Sequence, residues 1–410
     1  MQAVQAMQDV QRSRRRRAGR CSGDHHRPAR SPPRARWRGA GRGQERAKTG
    51  EGSSWPTVSV GDGGQRRYKG WMPKLSILDL APVADGTTAI EALAASTDLA
   101  RHAEAWGYRR YWVAEHHNMA GIASSSPAVL LAHLAAATST IRVGSGGVML
   151  PNHAPLVVAE QFGTLAALHP GRIDLGLGRA PGTDPVTASA LRRGAGGHAA
   201  DDFPDQLGLL LAFLRDDLPA EHPCASIRAV PHAPVPPEPW LLGSSGYSAQ
   251  VAAFLGLPFA FAHHFSPANT LPALELYRSR FRASEVLSEP YALVGVAVVC
   301  ADTDEEAQYL HGSTRLSMLR LRTGRPGPLP TPAEAASFPY TPAEEAIVAA
   351  ATGSHLVGSP RSVEGALEEL LATTGADEAM VTTSVHDRSA RLHSYELLAP
   401  LLEDVAPGGV

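Results

Sequence analysis

The chain has 410 residues, of which 43% are hydrophobic and 19% charged, which is typical of a globular protein with one large core or two smaller ones. The net charge of −2 conceals an asymmetry, because residues 1–71 hold 17 of the 38 Lys and Arg residues and the rest of the chain holds 35 of the 40 Asp and Glu residues. Cys21, Cys224 and Cys300 are too far apart to form a disulfide framework or zinc ribbon, which fits a cytoplasmic protein, and no apolar run is long enough to span a membrane.

Residues 1–71 are predicted to be a disordered basic extension. They are rich in Arg, Gly, Ser and Pro and have too few aliphatic residues to form a core. A nucleic-acid-binding arm, an organellar transit peptide and upstream sequence included by an incorrect start codon would each explain this composition. No apolar segment follows the arginines, which argues against a secretory signal. We favour a true start near Met72, one domain over residues 72–410, and no nucleic-acid or membrane partner.

From residue 74 onward, short apolar segments alternate with helical periodicity. Thr88 and Glu91 have capping-box spacing at the start of the first helix, and Gly107 ends it. Residues 324–343 are rich in Pro and are predicted to be an insertion. Eight strand–helix units favour an α/β fold of the (β/α)₈ TIM-barrel type, with a doubly wound sheet as the alternative. The predicted strands are residues 75–80, 110–114, 141–150, 172–178, 240–243, 258–262, 291–299 and 378–383.

The second predicted strand is followed directly by Glu115, His116 and His117. Catalytic groups of such barrels follow the C-terminal ends of the strands, and a histidine there could move protons near neutral pH. Adjacent residues of an extended segment point to opposite faces, so one of the two histidines should face the barrel mouth. Rim histidines bonded to backbone are the structural alternative. A metal site that also uses His263, His264 or His386 is another, although we expect no metal.

The third predicted strand contains Gly144, Ser145, Gly146 and Gly147. Glycines inside a strand mark either a bulge or a place where a flat group approaches the backbone. The sequence leaves both explanations open.

Two neighbouring segments favour the binding of an anion. Arg179 ends the fourth predicted strand, and guanidinium groups bind phosphate with paired hydrogen bonds, although a salt bridge is the alternative. Ser244, Ser245 and Ser248 lie where the fifth strand leads into a helix, so they form either an anion cradle or an ordinary N-cap. No Walker A or GxGxxG sequence is present, so one phosphate is the simpler inference.

Four segments in this order resemble the bacterial-luciferase-like flavin-dependent monooxygenases, and the resemblance extends from about residue 74 to residue 402. They are WVAEHH at 112–117, RVGSGGVMLP at 142–151, EQFGTL at 160–165 with GRIDLGLGR at 171–179, and LGSSG at 242–246. The resemblance implies a barrel enzyme that uses reduced FMN as a co-substrate and O₂ to oxidise a small organic substrate. It further implies an NAD(P)H-dependent flavin reductase as a partner and a homodimer.

The resemblance also assigns roles to residues. His116 matches the catalytic base, Gly146 and Gly147 match a non-prolyl cis peptide beneath the flavin ring, and Arg179 matches the phosphate-binding arginine. Ser245 and Ser248 match hydroxyl or backbone contacts to the same phosphate, and Ser244 is predicted to join them from its place in the turn. Three alternatives remain, namely a deazaflavin-dependent hydride-transfer enzyme, a non-catalytic flavin-binding paralogue and a metal-dependent hydrolase.

The sequence departs from the light-emitting members of that family at two positions. Gly178 stands where they carry a reactive cysteine, and Ser244 stands where they carry a glutamate. The loop at 179–201 contains no recognisable aldehyde pocket. The sequence therefore gives no indication of bioluminescence and does not identify the organic substrate.

Overall fold

Eight parallel strands close into a barrel in the computed structural model, which describes residues 73–180, 182–191 and 202–402. β1 to β7 pair in chain order, and β9 lies between β7 and β1 and closes the ring. The predicted (β/α)₈ barrel is confirmed, and the doubly wound sheet is excluded. The strands are β1 (Leu75–Asp79), β2 (Arg110–Val113), β3 (Arg142–Met149), β4 (Ile173–Gly178), β5 (Glu238–Gly243), β6 (Phe259–Phe261), β7 (Ala292–Cys300), β8 (Leu356–Gly358) and β9 (Glu378–Thr382).

Helices cover the outside of this barrel. The first helix has the predicted capping box between Thr88 and Glu91 and ends at Gly107, which adopts a left-handed conformation. The helices are α1 (Ala89–Trp106), α2 (Pro127–Ala137), α3 (Pro155–Leu168), α4 (Pro185–Leu191), α5 (Phe203–Arg215), α6 (Gly246–Leu255), α7 (Thr270–Arg280), α8 (Asp304–Arg322), α9 (Pro332–Ser337), α10 (Pro342–Thr352), α11 (Pro360–Thr374) and α12 (Arg388–Glu396). Within the described residues, none of these helices is long and apolar enough to cross a membrane.

The predicted insertion at 324–343 contains one helix and the first two residues of a second, and it precedes a strand that the sequence did not predict. α9 and α10 start at Pro332 and Pro342, where proline fits the first turn of a helix. β8 pairs with the last three residues of β7 and lies outside the ring. The predicted extension at 1–71 and the proposed start at Met72 lie outside the described residues, so they stay predictions.

Buried charges fill the N-terminal end of the barrel. Arg110, only 3% exposed, donates to Asp174 at 2.8 Å and lies 3.2 Å from Glu378. Asp174 also accepts a hydrogen bond from the Trp112 indole at 2.9 Å. An unpaired charge would be costly at this depth, so the pairing holds the strand starts together.

An apolar layer lies directly above these charges. Leu78, Trp112, Trp240, Leu293 and Met380 point inward and pack with Ala260. The Trp112 and Trp240 rings meet edge to face, 5.2 Å apart. Because side chains alternate along a strand, residues two positions further along each strand line the mouth of the barrel.

Candidate active site at the barrel mouth

His116 lies directly after β2 at this mouth and is partly buried. Its Nδ1 atom lies 3.3 Å from the carbonyl oxygen of Gly182. A carbonyl oxygen only accepts hydrogen bonds, so Nδ1 carries the proton and Nε2 keeps a free lone pair. Burial is the main cause that lowers the pKa of His116 below 6.5. The ring is therefore neutral near pH 7 and can accept a proton at Nε2.

Glu115 is fully buried beside His116, and its hydrogen bonds connect the segment after β2 to the end of β3. Its carboxylate accepts hydrogen bonds from His117 Nε2 at 2.9 Å, from His153 Nε2 at 2.9 Å and from the Met149 backbone N–H at 2.9 Å. Burial by itself raises the pKa of Glu115, but the bonds from His153, His117 and Met149 outweigh it and leave the pKa below 4.5. Of the two adjacent histidines, His117 is thus the one held by a carboxylate.

The Gly146–Gly147 peptide bond is cis, as the family resemblance implied. The register between β3 and β4 shifts between Ser145 and Val148, so the glycines also lie in the bulge that the sequence allowed. A Cβ atom at position 146 would lie 2.6 Å from Leu78 Cδ1, and one at position 147 would lie 2.7 Å from the Gly176 oxygen. The backbone contact therefore requires glycine at position 147, whereas a side chain at position 146 would have to displace the end of the Leu78 side chain.

Arg179 extends from the end of β4 toward the turn that begins α6. Its guanidinium carbon lies 4.2 Å from the centroid of the Tyr247 ring, within the range of a cation–π contact. The alternative salt bridge is not present among the described residues. Tyr247 lies between Ser245 and Ser248 in the chain, so the structure brings the predicted arginine and the predicted serine turn together.

The N-cap residue of α6 does not cap the helix with its side chain. Ser245 is the N-cap residue, in an extended conformation, but its side chain makes no capping hydrogen bond. Ser244 and Ser245 are exposed, whereas Ser248 is 6% exposed and lies against Gly243. Ser245 thus does not form the ordinary side-chain N-cap, so its exposed hydroxyl could bind an anion together with the positive end of the α6 dipole.

The remaining histidines do not assemble into a metal site. His263 Nδ1 lies 2.8 Å from Thr270 Oγ1, His264 Nδ1 lies 2.9 Å from the Gly295 oxygen, and His386 Nε2 lies 3.0 Å from the Asp85 oxygen. Across the described ranges, no group of three or more His, Cys, Asp or Glu side chains could hold a metal ion.

Sequence reasoning missed three contributors to this mouth. Tyr247 was part of the serine segment but received no role, and Glu115 was read only as part of a triplet with two histidines. The Gly182 carbonyl that orients His116 lies in a glycine-rich loop with no signal of its own. An acidic residue directly before two histidines was the one usable indication.

Comparisons with known proteins show the family of the chain. The model of the luciferase-like monooxygenase family matches residues 74–378. The chain is 52% identical over 325 residues to the uncharacterized protein YvbT of Bacillus subtilis, covering 79% of this chain and 95% of that protein. It is 50% identical over 330 residues to a luciferase-like monooxygenase of Escherichia coli K12, covering 80% and 97%. The chain therefore belongs to the luciferase-like monooxygenase family.

Further relatives have more specific descriptions. An N-acetyl-S-alkylcysteine monooxygenase of B. subtilis is 36% identical over 332 residues, covering 80% of this chain and 98% of that protein. The solved structure of apo-MsnO8 superimposes with a TM-score of 0.72 at 39% identity, covering 80% of this chain and 98% of that one.

Two more distant structures show the fold alone. One is the oxygenating constituent of 3,6-diketocamphane monooxygenase of Pseudomonas putida in complex with FMN, with a TM-score of 0.60 at 20% identity, covering 83% of this chain and 99% of that one. The other is an F420-dependent secondary alcohol dehydrogenase with an F420-acetone adduct, with a TM-score of 0.61 at 12% identity, covering 82% and 100%.

Proposed function

We propose that the protein is an FMN-dependent monooxygenase that takes reduced FMN from a separate NAD(P)H-dependent flavin reductase. Reduced FMN supplies two electrons, one oxygen atom of O₂ enters a small organic substrate, and the other leaves as water. The observation that carries this proposal is the position of Arg179 over Tyr247, beside the start of α6, where the Ser245 side chain makes no capping hydrogen bond. The FMN complex and the description "oxygenating constituent" of the P. putida protein support it by analogy.

The β4–β5 side of the mouth fits a single phosphate group. Arg179 supplies a permanent positive charge, and the N-terminus of α6 supplies backbone N–H donors and the positive end of a helix dipole. Ser244 and Ser245 are exposed and can add hydroxyl donors, whereas buried Ser248 shapes the turn by packing on Gly243. A phosphate held there places the attached ring system over the mouth of the barrel.

The β2–β3 side of the mouth fits the ring of the cofactor. Gly146 and Gly147 present backbone without side chains, and their hydrogens point at packed neighbours. His116 lies in the segment after the adjacent strand β2, with a neutral ring whose Nε2 has no hydrogen-bond partner among the described residues. In this proposal, Nε2 accepts and returns a proton while oxygen chemistry takes place on the cofactor.

The main competing function is hydride transfer with a deazaflavin, which the F420-dependent neighbour supports by fold. Titration of the protein with FMN, reduced FMN under anaerobic conditions and a deazaflavin separates the two. We expect reduced FMN to bind and the deazaflavin to bind much more weakly, with oxygen uptake rising when a panel of thioethers, aldehydes and ketones is added. Tight binding of the deazaflavin alone would refute the proposal.

The same assay addresses a non-catalytic paralogue. In such a protein the His116→Ala variant would leave oxygen uptake and product formation unchanged. Binding of reduced FMN without any substrate-dependent oxygen uptake in the wild type would likewise favour a carrier over an enzyme.

A further inference from the structure

His264 follows β6 on the wall of the barrel opposite His116. β2 and β6 are four strands apart in a ring of eight, so their ends face each other across the mouth. His264 is 9% exposed, whereas the adjacent His263 turns outward to Thr270 at the start of α7. Both histidines lie in the turn that follows β6, but their side chains contact different elements, since His263 Nδ1 lies 2.8 Å from Thr270 Oγ1 and His264 Nδ1 lies 2.9 Å from the Gly295 oxygen.

The imidazole of His264 occupies the place of a missing inward side chain. Leu293 on β7 packs inside the barrel with Trp112 and Trp240, so Gly295, two residues later, also faces inward. A Cβ atom on Gly295 would lie 3.0 Å from His264 Cε1 and 3.1 Å from its Nδ1. The ring thus lies above the inner apolar layer, at the level of the mouth.

The orientation of this ring is fixed by one carbonyl group. The Gly295 oxygen accepts a hydrogen bond from the His264 backbone N–H at 3.0 Å and another from Nδ1 at 2.9 Å. Nδ1 must carry the proton in this contact, which leaves Nε2 as an acceptor. Within the described part of the chain, Nε2 has no hydrogen-bond partner and is not sealed from solvent.

Two further histidines stand on the same side of the barrel. His311 on α8 is 5% exposed, and its Nε2 lies 3.1 Å from Nδ1 of His355, which precedes β8. Burial lowers the pKa of His264 and His311 to about 4 each. It also lowers the pKa of His355 to about 3, assisted by the two other histidines. All three rings are neutral near pH 7, so this wall offers hydrogen bonding without charge.

We propose that His264 is a specificity-determining residue whose Nε2 accepts a hydrogen bond from an N–H or O–H group of the organic substrate. This inference rests on the proposed function, since it places the substrate in the space between His264 and the cofactor at the mouth. The substrate class is a small uncharged or locally uncharged molecule with a hydrogen-bond donor near its reacting atom. An analogue without the donor should bind more weakly, because His264 Nε2 would lose its hydrogen bond to water on binding and gain no hydrogen bond from the analogue.

The test measures the binding of matched probe pairs to the FMN-loaded protein by calorimetry. One pair is N-acetyl-S-methylcysteine and the same molecule with a methyl group in place of the hydrogen on the acetamide nitrogen. The second pair is benzyl alcohol and benzyl methyl ether. The wild type should prefer the donor-bearing member of at least one pair by about tenfold, the size expected for one hydrogen bond. His264→Phe should abolish this preference, and His264→Asn, which keeps an acceptor, should restore part of it.

The adjacent histidine provides the matched control. His263→Phe should keep the wild-type preference, because His263 faces α7. Both phenylalanine variants should bind FMN as the wild type does. The inference is overturned if the wild type does not discriminate within either pair, if His264→Phe still discriminates, or if His264→Phe loses FMN affinity. Failure of the proposed function differs from these results, because it appears in the wild type as absent FMN binding or as FMN binding without substrate-dependent oxygen uptake, and not in the comparison of the variants.

Discussion

The guanidinium of Arg179 lies 4.2 Å from the centre of the Tyr247 ring, which joins the end of β4 to the first turn of α6. Stacking on an aromatic face leaves the edge of a guanidinium group free to donate hydrogen bonds. The contact therefore holds a positive charge beside the N-terminus of α6, and this placement supports the proposed phosphate site.

Replacement of this arginine should weaken FMN binding. We expect Arg179→Ala to raise the FMN dissociation constant by about 10- to 100-fold, since a hydrogen bond to a charged group contributes about 1.5–3 kcal/mol. Arg179→Lys should retain part of the affinity, because it keeps the charge but loses the planar fork. Fluorescence titration gives the constants. Arg322→Ala, an exposed site at the end of α8, serves as the control. An unchanged constant in Arg179→Ala would contradict the phosphate assignment.

Loss of His116 should slow the reaction without releasing the cofactor. We expect His116→Ala to lower kcat by about 10²- to 10⁴-fold, the usual contribution of a positioned acid–base group, with FMN affinity nearly unchanged. Burial lowers the pKa of His116 below 6.5, so the neutral form persists into mildly acidic solution. The acid limb of the kcat/KM profile should therefore lie below pH 6.5. His133→Ala, an exposed histidine on α2, should leave both the rate and the profile unchanged.

The buried pair of Asp79 and Arg391 should make stability depend on pH. Burial by itself raises the pKa of Asp79, but Arg391 at 2.7 Å and the surrounding hydrogen bonds lower it below 3.8. A lowered folded-state pKa stabilises the protein at pH values above the unfolded-state pKa, and this stabilisation is lost as pH falls through the folded-state value. The free energy of unfolding should thus decline below about pH 4.

Urea unfolding of two aspartate variants tests the same pair. Asp79→Ala should cost about 3–5 kcal/mol at pH 7, because it leaves the Arg391 charge buried and unpaired. The control is Asp98→Ala, which removes an exposed ion pair with Arg388. Its N–O distance of 2.9 Å is close to the 2.7 Å between Arg391 and Asp79. Asp98→Ala should cost less than about 1 kcal/mol. Equal losses in the two variants would contradict this account of Asp79.

Glu115 should stabilise the position of the β3 end. A glutamine can accept hydrogen bonds through one oxygen only, so Glu115→Gln cannot satisfy His117, His153 and the Met149 N–H together. We expect a loss of about 1.5–3 kcal/mol in the free energy of unfolding. The Met149 amide should also exchange with deuterium faster. Glu369→Gln, an exposed site on α11, should change neither quantity, and wild-type exchange at Met149 in Glu115→Gln would argue against this role.

The barrel could be predicted from the sequence because each strand has its own local signal. The segments at 75–80 and 291–299 are apolar runs with breakers on either side, and both became strands close to their predicted bounds. β8 was missed because three residues after a proline-rich insertion have no detectable period. The pairing that gives β8 its role involves the far end of β7, which local sequence cannot reveal.

The candidate site was predictable only where its residues lie in short motifs. Arg179 and Ser245 follow strand ends, so the barrel rule was enough to place both at the mouth. The buried charges at the N-terminal end of the barrel were not predicted, because Arg110 and Asp174 are 64 residues apart in the sequence. A charged residue at the start of a strand is also usually exposed to solvent. The different contacts of His263 and His264 also required coordinates, since the outward bond to Thr270 distinguishes them.

The buried charges of Arg110, Asp174 and Glu378 close the N-terminal end of the barrel, and this affects the order in which ligands can bind and leave. Because that end of the barrel is filled, ligands have to enter and leave through the mouth at the opposite end. Under the proposed function, a flavin held on the inner side of the substrate would have to bind first and leave last, so steady-state kinetics should show a compulsory binding order. In that order, the product would have to leave before the oxidised flavin could be exchanged for reduced flavin.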